Sequence, residues 1–290
     1  MAKRYYKQAK YIGIQTETKQ YIKRLATFNR KLNSSDVADI DNFIKGLKQL
    51  NLLQNIIVYP LRSQHNIGSG ANVLSFGGIG RFDGLSINSP SWGLSGINFT
   101  AASSQYIRIP NFLNNPVVTG FSMICLHQPD FTTTGRALLG NDGTTTTTRG
   151  MRINVQNHSY ITGTGNAANM YVSFPVSISS NGMDAAARAF TFNTASMHVN
   201  YVSFSEDLNT GFVASINANT NAGTKSGRFF ANNAYNTMGI GSRSGLGTAG
   251  DFFQGTMSLM MIANRAISRS EYLNVYALIK TTIGKSLGLP

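Results

Sequence analysis

The sequence predicts a mostly β chain: a two-sheet antiparallel jelly-roll sandwich, entered through an N-terminal helical hairpin and closed by a C-terminal helix. Three observations carry this. From Ile56 onward Gly, Ser, Thr and Asn dominate, and apolar runs shorten to four to seven residues between closely spaced turn signals. That texture fits short strands packed in two layers rather than βαβ units. Ahead of it lie two stretches of about 15 residues whose apolar positions recur at steps of three and four, the helical period. At the far end Ser268-Arg269-Ser270-Glu271 has the form of a capping box, in which Ser and Glu side chains satisfy each other's backbone donors at a helix start.

Taken in order, Met1–Gly13 mixes Tyr5, Tyr6 and Tyr11 with Lys and Arg without a period, and reads as an arm that orders only against something else. Thr18–Leu32 is expected to be helical, with Tyr21, Ile22, Leu25, Phe28 and Leu32 on its apolar side. Asn33-Ser34-Ser35 breaks that helix and caps the next, Asp36–Leu50, whose first turn holds Asp36 and Asp39 where the helix dipole favours acids. Its stripe is Val37, Ile40, Phe43, Ile44, Leu47 and Leu50, with Lys45 and Lys48 near its C-terminus. A hairpin of this size cannot bury two stripes alone, so it docks on the body or on a partner.

The expected strands are Ile56–Tyr59, Ile97–Phe99, Tyr106–Ile109, Phe121–His127, Ala137–Leu139 and Met151–Val155 in the first half of the body. Tyr171–Ile178, Ala189–Phe192, His198–Phe204, Gly211–Ile216, Met238–Gly241 and Thr256–Ala263 follow. The Thr144–Thr148 run inside Asn141–Arg149 reads as a hairpin tip. In the last strand Met257, Leu259 and Met261 alternate with Thr256 and Ser258 before both faces turn apolar. Asn264-Arg265-Ala266 then turns the chain into a helix with Leu273, Tyr276, Ile279 and Ile283 on one stripe and Gly284 placed to end it. The domain division expected is 1–55 for an attachment segment and 56–290 for the sandwich.

At 290 residues the chain can bury a sizeable core without disulfides. The lone Cys125, inside Phe121–Leu126, is expected to be a small buried hydrophobe. No apolar run approaches the roughly 18 residues of a membrane span, so no membrane insertion is expected. The N-terminus shows no signal-peptide core. The charge is lopsided: residues 1–33 carry nine Lys/Arg against the single acid Glu17, which is +8 of the formal net +13. A basic arm on a nearly neutral body points to an acidic partner for the arm, or to a solvated basic face. The candidate partner-binding residues are Lys3, Arg4, Lys7, Lys10, Lys19, Lys23 and Arg24 for charge, and Phe43 and Leu47 for apolar contact.

Catalytic chemistry finds little to work with. Glycoside hydrolysis needs two carboxylates at a set separation. The chain has three Glu: Glu17 in the arm, Glu206 in a turn beside Asp207, and Glu271 used as a cap. His65, His127, His158 and His198 have no Cys or acid at ligand spacing along the sequence, so no metal site and no cofactor is expected. Gly245–Gly250 fits a dinucleotide-binding glycine pattern but lacks the strand-then-helix setting that pattern requires. For ligand binding the candidates are Tyr235, Asn236, Arg243, Asp251 and Phe252. Rings beside amides and carboxylates on loops suit sugars, a ring stacking on the sugar face and polar groups bonding its hydroxyls. One of Phe252 and Phe253 is expected to pack in the core.

Gly255, the strand after it, Asn264-Arg265-Ala266 and the Ile267-Ser268…Glu271 cap together resemble the C-terminal signature of laminin-G/concanavalin-like jelly-roll domains. Gly96-Ile97-Asn98-Phe99, Tyr106-Ile107-Arg108-Ile109-Pro110, Phe121-Ser122-Met123-Ile124 and His198–Phe204 resemble earlier strands of such domains in the same order, so the likeness spans about residues 57–284. Asp41–Lys48 with Leu52-Leu53 and Ile57–Leu61 resembles the lead-in of tailed-phage virion proteins that carry this jelly roll, although Leu-Leu stands where those show Leu-Trp. The resemblance implies a non-enzymatic structural, decoration or fibre-type protein located in a virion. It would be attached to capsid, tail or fibre proteins through the N-terminal helices, present in many copies or as a homo-oligomer, with adhesion to host-surface glycans open to it. A free lectin-like carbohydrate-binding module is one alternative. A jelly-roll coat protein with a nucleic-acid-contacting arm is another, disfavoured because ordered apolar stripes are unlike such arms. Some relatives bind calcium at an Asp-bearing loop, for which Asp83, Asp142 and Asp251 are candidates, but Asp and Gly there are ordinary turn formers and no calcium is expected.

Overall fold

The computed structural model describes residues 13–110, 120–130, 136–140, 152–157, 167–175, 183–191, 196–205, 212–223, 237–243 and 251–290. Two helices come first, α1 (Thr16–Thr27) and α2 (Ser34–Gln49). The early strands are β1 (Ile56–Pro60), β2 (Asn72–Val73), β3 (Phe76–Gly77), β4 (Gly84–Ile87), β5 (Ser91–Trp92), β6 (Ile97–Phe99) and β7 (Tyr106–Pro110). The middle strands are β8 (Gly120–Pro129), β9 (Arg136–Gly140), β10 (Arg152–Asn157), β11 (Ala167–Pro175) and β12 (Met183–Thr191). Last come β13 (His198–Ser205), β14 (Phe212–Ile216), β15 (Asn219–Gly223), β16 (Thr237–Ile240), β17 (Gly255–Ala263) and the closing helix α3 (Arg269–Thr281).

These strands form two antiparallel sheets, the mostly β sandwich that the sequence predicts. One runs β15-β14-β13-β8-β17-β1-β3, with β6 and β5 continuing beside the start of β17. The other runs β12-β11-β10-β9-β16-β7-β4-β2. Their facing sides enclose the first core, with Ile57, Tyr59, Phe121, Met123, Cys125 and Ile262 from one sheet against Ile107, Ile109, Leu139, Ile153, Met238 and Ile240 from the other. Cys125 is fully buried, and burial pushes its thiol far above its ordinary range. The expected strands at 171–178 and 189–192 begin several residues earlier than their apolar patterns suggest. Ala167-Ala168 pairs with Thr191 and Phe190, and Ala185–Ala187 with Ser173–Tyr171, although these alanines carry little hydrophobic signal.

The first sheet is covered on both faces, and β17 shows how. A register shift between Met257 and Leu259 lets Ser258 bulge out of the pairing with β8. After a bulge the side-chain alternation changes phase. Met257 therefore points into the first core, while Leu259, Met261 and Ala263 point the other way, into a second core. The simple alternation expected for this strand, with Met257, Leu259 and Met261 on one face, is corrected by that bulge.

The second core joins the outer face of this sheet to all three helices. Ile56, Val58, Ile124, Leu126, Val199 and Tyr201 from the strands meet Tyr21, Leu25, Ile40, Phe43, Ile44 and Leu47 from the hairpin. The expected domain boundary at residue 55 falls where helix gives way to β1, yet the residues on both sides of it share one core. α1 ends at Thr27, five residues before expected, because Asn29 adopts φ 57° and turns the chain. Asn tolerates that left-handed conformation better than most residues. Phe28, expected on the apolar stripe, is left 41% exposed. α2 starts at Ser34, two residues before expected, capped from the expected stretch by the Asn33 side chain, which accepts from the Asp36 amide at 2.8 Å. Gly46, in the middle of α2, allows α3 to come close: a Cβ there would lie 2.4 Å from Leu278 Cδ1.

The capping box is present in both directions, with Ser268 Oγ accepting from Glu271 N at 3.2 Å and Glu271 Oε2 from Ser268 N at 2.7 Å. Of the stripe expected for the closing helix, Tyr276, Ile279 and Ile283 are buried and Leu273 departs from it. Tyr272, Val275, Tyr276 and Ile279 point inward, and Leu273 is only half-buried. The Tyr272 ring stacks on Tyr201 at 4.3 Å, and its hydroxyl donates to Asn217 O at 2.5 Å, which sets the helix's rotation.

Candidate functional site

The hairpin residues expected to meet a partner divide by location. Lys3, Arg4, Lys7 and Lys10 lie outside the described residues. Lys19 and Lys23 are exposed on α1. Arg24 is used within the chain: it donates to Ser75 O at 2.7 Å and pairs with Asp83, which pins α1 to the β3–β4 turn. Phe43 and Leu47 are fully buried. The expectation that these two face a partner is corrected, because their stripe is what covers the outer face of the first sheet. The apolar surface that α1 and α2 leave accessible is a different one. It is a groove of about 650 Å³ between them, lined by Ile14, Ile22, Ala26 and Val37 and edged by Arg30 and Lys31.

The second sheet differs from the first. Among the described residues no helix packs on its outer face, where Leu85 and Arg108 sit opposite each other and exposed. At one rim of the sandwich the segment from β16 to β17 brings three of the five expected ligand residues together. Arg243 Nη1 lies 3.9 Å from Asp251 Oδ2, and Phe252 packs its ring 6.0 Å from Tyr106, leaving the rest of the ring half-exposed. Phe253 is the one buried in the core, edge-on to Phe99 and His127. Tyr235 and Asn236 lie outside the described residues.

Backbone bonds fix this rim. Gly241 N donates to Leu138 O at 2.9 Å, Phe253 N to Gly241 O at 2.8 Å, and Ala137 N to Asp251 O at 2.9 Å. Gly241 and Asp251 take φ 79° and 66°, conformations that let the chain double back on β9. Asp251 thus holds its carboxylate beside Arg243 on a backbone held at both ends.

The chain then runs directly into a second polar feature. Gln128, Pro129, Asp130, Gly255 and Thr256 line a cleft of about 360 Å³. Gly255 is required there, since a Cβ would lie 2.3 Å from Gln128 O. Asp130 N donates to Gln254 O at 2.9 Å, the Gln254 side chain accepts from Ala101 N at 2.8 Å, and the Thr256 hydroxyl donates to Asn98. Gln128, Asp130 and Thr256 were not singled out in the sequence. The signal was there in Gln254-Gly255-Thr256, a glycine between polar residues at a strand entry, but only the pairing of Gly255 with Pro129 shows what it faces.

Paired acids are not found on any strand of this rim among the described residues. Glu17 is bound to Lys48 at 2.6 Å and Glu271 to Arg265 at 2.6 Å. Glu206, Asp207 and Asp142 lie outside the described residues. Asp83 Oδ1 accepts from Ser75 N at 2.8 Å besides holding Arg24, so this oxygen is taken up in fixing the turn. No helix of the described residues is long and apolar enough to cross a membrane.

No family model matches the chain, and no curated protein matches it. Solved structures do. Trypanosoma rangeli sialidase aligns over 86% of this chain at 9% identity and a TM-score of 0.52, and this chain spans only 39% of it. The CBM40 of Ruminococcus gnavus IT-sialidase bound to α2,3-sialyllactose aligns over 58% of this chain and 91% of its own, at 12% identity and a TM-score of 0.44. The binding domain of botulinum neurotoxin DC in complex with SialylT aligns over 76% and 50%, at 8% identity and a TM-score of 0.46. The likeness to the trypanosomal enzyme is one of fold: two antiparallel sheets packed as a sandwich.

Proposed function

We propose that this chain is a non-enzymatic β-sandwich protein of a phage virion that binds glycans at the Arg243–Asp251–Phe252 rim and the adjoining Gln128–Asp130 cleft. The observation behind the reading is the rim itself. A half-exposed ring, a guanidinium and a carboxylate stand at residues 243–252, and an amide and a second carboxylate line the cleft at residues 128–130 that Gly255 and Thr256 also face. A sugar needs that set: an apolar face to stack on and several fixed polar groups for its hydroxyls. The virion setting rests on the resemblance of Asp41–Leu61. The exposed Lys19 and Lys23 and the groove between α1 and α2 are the hairpin surfaces left for attachment.

A glycan array of neutral and acidic sugars, probed with the full chain, tests the binding. The expected result is a set of hits weakened by Phe252→Ala and by Asp251→Ala, with no sugar released on prolonged incubation. Hits indifferent to both substitutions would move the site elsewhere. An array without hits would remove the glycan reading. Mass spectrometry of purified particles separates a virion component from a free lectin-like module.

A further inference from the structure

We propose that Asp36, Asp39 and His65 form a site for one divalent first-row transition-metal ion, with Zn²⁺ as the reference, that clamps α2 to the sandwich. The three residues come from different places. Asp36 and Asp39 are one turn apart at the start of α2, and His65 lies in the loop after β1. All three are buried, with His65 only 1% exposed. His65 Nε2 is 3.9 Å from Asp36 Oδ1 and 3.9 Å from Asp39 Oδ2, and the ligand atoms of the three residues lie within 4.8 Å of one another.

The ring nitrogen is the telling atom. It is buried and has no hydrogen-bond partner. A buried polar atom left this way is costly, and native structures rarely tolerate one without a reason. The carboxylate oxygens are too far for a hydrogen bond, which closes at about 2.7–3.2 Å. They are near the separation that a shared ion imposes: ligands at about 2.0–2.2 Å in a tetrahedron stand about 3.4 Å apart. Closing from 3.9 Å to that separation takes about half an ångström for each carboxylate against His65, with the two carboxylate oxygens drawn together from within 4.8 Å. A neutral imidazole nitrogen is the commonest protein ligand for such an ion.

The surroundings orient the donors without occupying the space. Lys285 Nζ bonds Asp39 Oδ1 at 2.6 Å, leaving Oδ2 as the oxygen that faces His65. The Arg62 guanidinium is committed elsewhere, to Leu94 O, Ile283 O and Ser286 Oγ at 2.7, 2.8 and 2.7 Å. Tyr21 Oη donates to His65 O at 2.9 Å and His65 N to Arg62 O at 3.0 Å, so the loop is fixed before any ion arrives. The Asp36 and Asp39 side chains keep 11% and 10% exposure, so the site is not sealed from solvent on their side. One imidazole and two carboxylates suit Zn²⁺ and its neighbours better than Ca²⁺, which takes six or more oxygens. Binding would tie residues 36 and 39 of the hairpin to the sandwich at residue 65, and so add to the stability of the folded state.

The test uses the full chain, stripped with EDTA and titrated with Zn²⁺ by calorimetry, with thermal unfolding followed in parallel. One equivalent bound per chain and a raised Tm are expected. Asp36→Asn with Asp39→Asn should weaken binding at least about tenfold. A Co²⁺ derivative should give a hyperfine-shifted imidazole resonance that His65→Gln removes. Absence of stoichiometric binding of Zn²⁺, Co²⁺ and Mn²⁺ by the wild type overturns the proposal, as does binding unchanged by the double substitution. Should the variants fail to fold, the wild-type Co²⁺ spectrum decides, because a spectrum without a shifted imidazole signal overturns it equally.

Discussion

Glu271 shows how a single residue couples local chemistry to the fold. The hydrogen bond from Arg265 is the largest influence, and with the Ser268 bonds it outweighs partial burial and brings the Glu271 pKa down to about 2. A carboxylate depressed in the folded state contributes stability above its unfolded pKa of about 4.3, and that contribution is lost as pH falls through about 2. Glu271→Gln should therefore flatten the dependence of Tm on pH between about 4.5 and 2, and should lower Tm at pH 7. A variant whose acid limb matches wild type would detach the cap from this account. The cap was legible in the sequence because its partners lie three residues apart. The approach of His65 to Asp36 and Asp39 was not, since those acids lie 26 to 29 residues earlier in the chain and only the docking of α2 brings them near.

At the scale of elements the clearest test is the rotation of α3. Ile279→Ala, on the buried stripe, should cost about 2–5 kcal/mol, whereas the half-buried Leu273→Ala should cost distinctly less. Chemical denaturation of the two variants reads this directly, and a larger cost at Leu273 than at Ile279 would contradict the inward facing of Tyr272 in place of Leu273. Periodicity fails here because Tyr272 outranks Leu273. A ring that stacks on Tyr201 and also finds hydrogen-bond acceptors for its hydroxyl gains more from facing inward than a Leu does. Ser268→Ala, by removing the N-cap, should cost about 0.5–2 kcal/mol. Strand existence was legible where β-branched and aromatic residues alternate, as in β7 and β13. It was not legible for β2, β3, β5 and β15, which are two to five residues long and polar or Gly-containing, so pairing rather than propensity makes them strands. Of the rim, Arg243, Asp251 and Phe252 were readable as a loop cluster. Their meeting with Tyr106 depends on strand order and was not.

The whole molecule is a sandwich with a third, helical layer, and that layer changes the meaning of the N-terminal stripes. They are apolar because the outer face of the first sheet is apolar, and each needs the other to be buried. A stripe facing a sheet of the same chain and a stripe facing a partner look alike in sequence. What distinguishes them is β17, whose two faces are both apolar because both are covered. Phe43→Ala should then destabilise the entire fold by about 3–5 kcal/mol, with one cooperative transition by far- and near-ultraviolet circular dichroism. Native-state hydrogen exchange tests this architecture most directly. Amides of Ile40–Leu47 in α2 and of Met260–Ala263 in β17 are predicted to exchange through the same global opening, with the same free energy and the same denaturant dependence. Exchange of the α2 amides at a much lower free energy, with the β17 amides still fully protected, would show the hairpin to be a separate attachment and contradict the account.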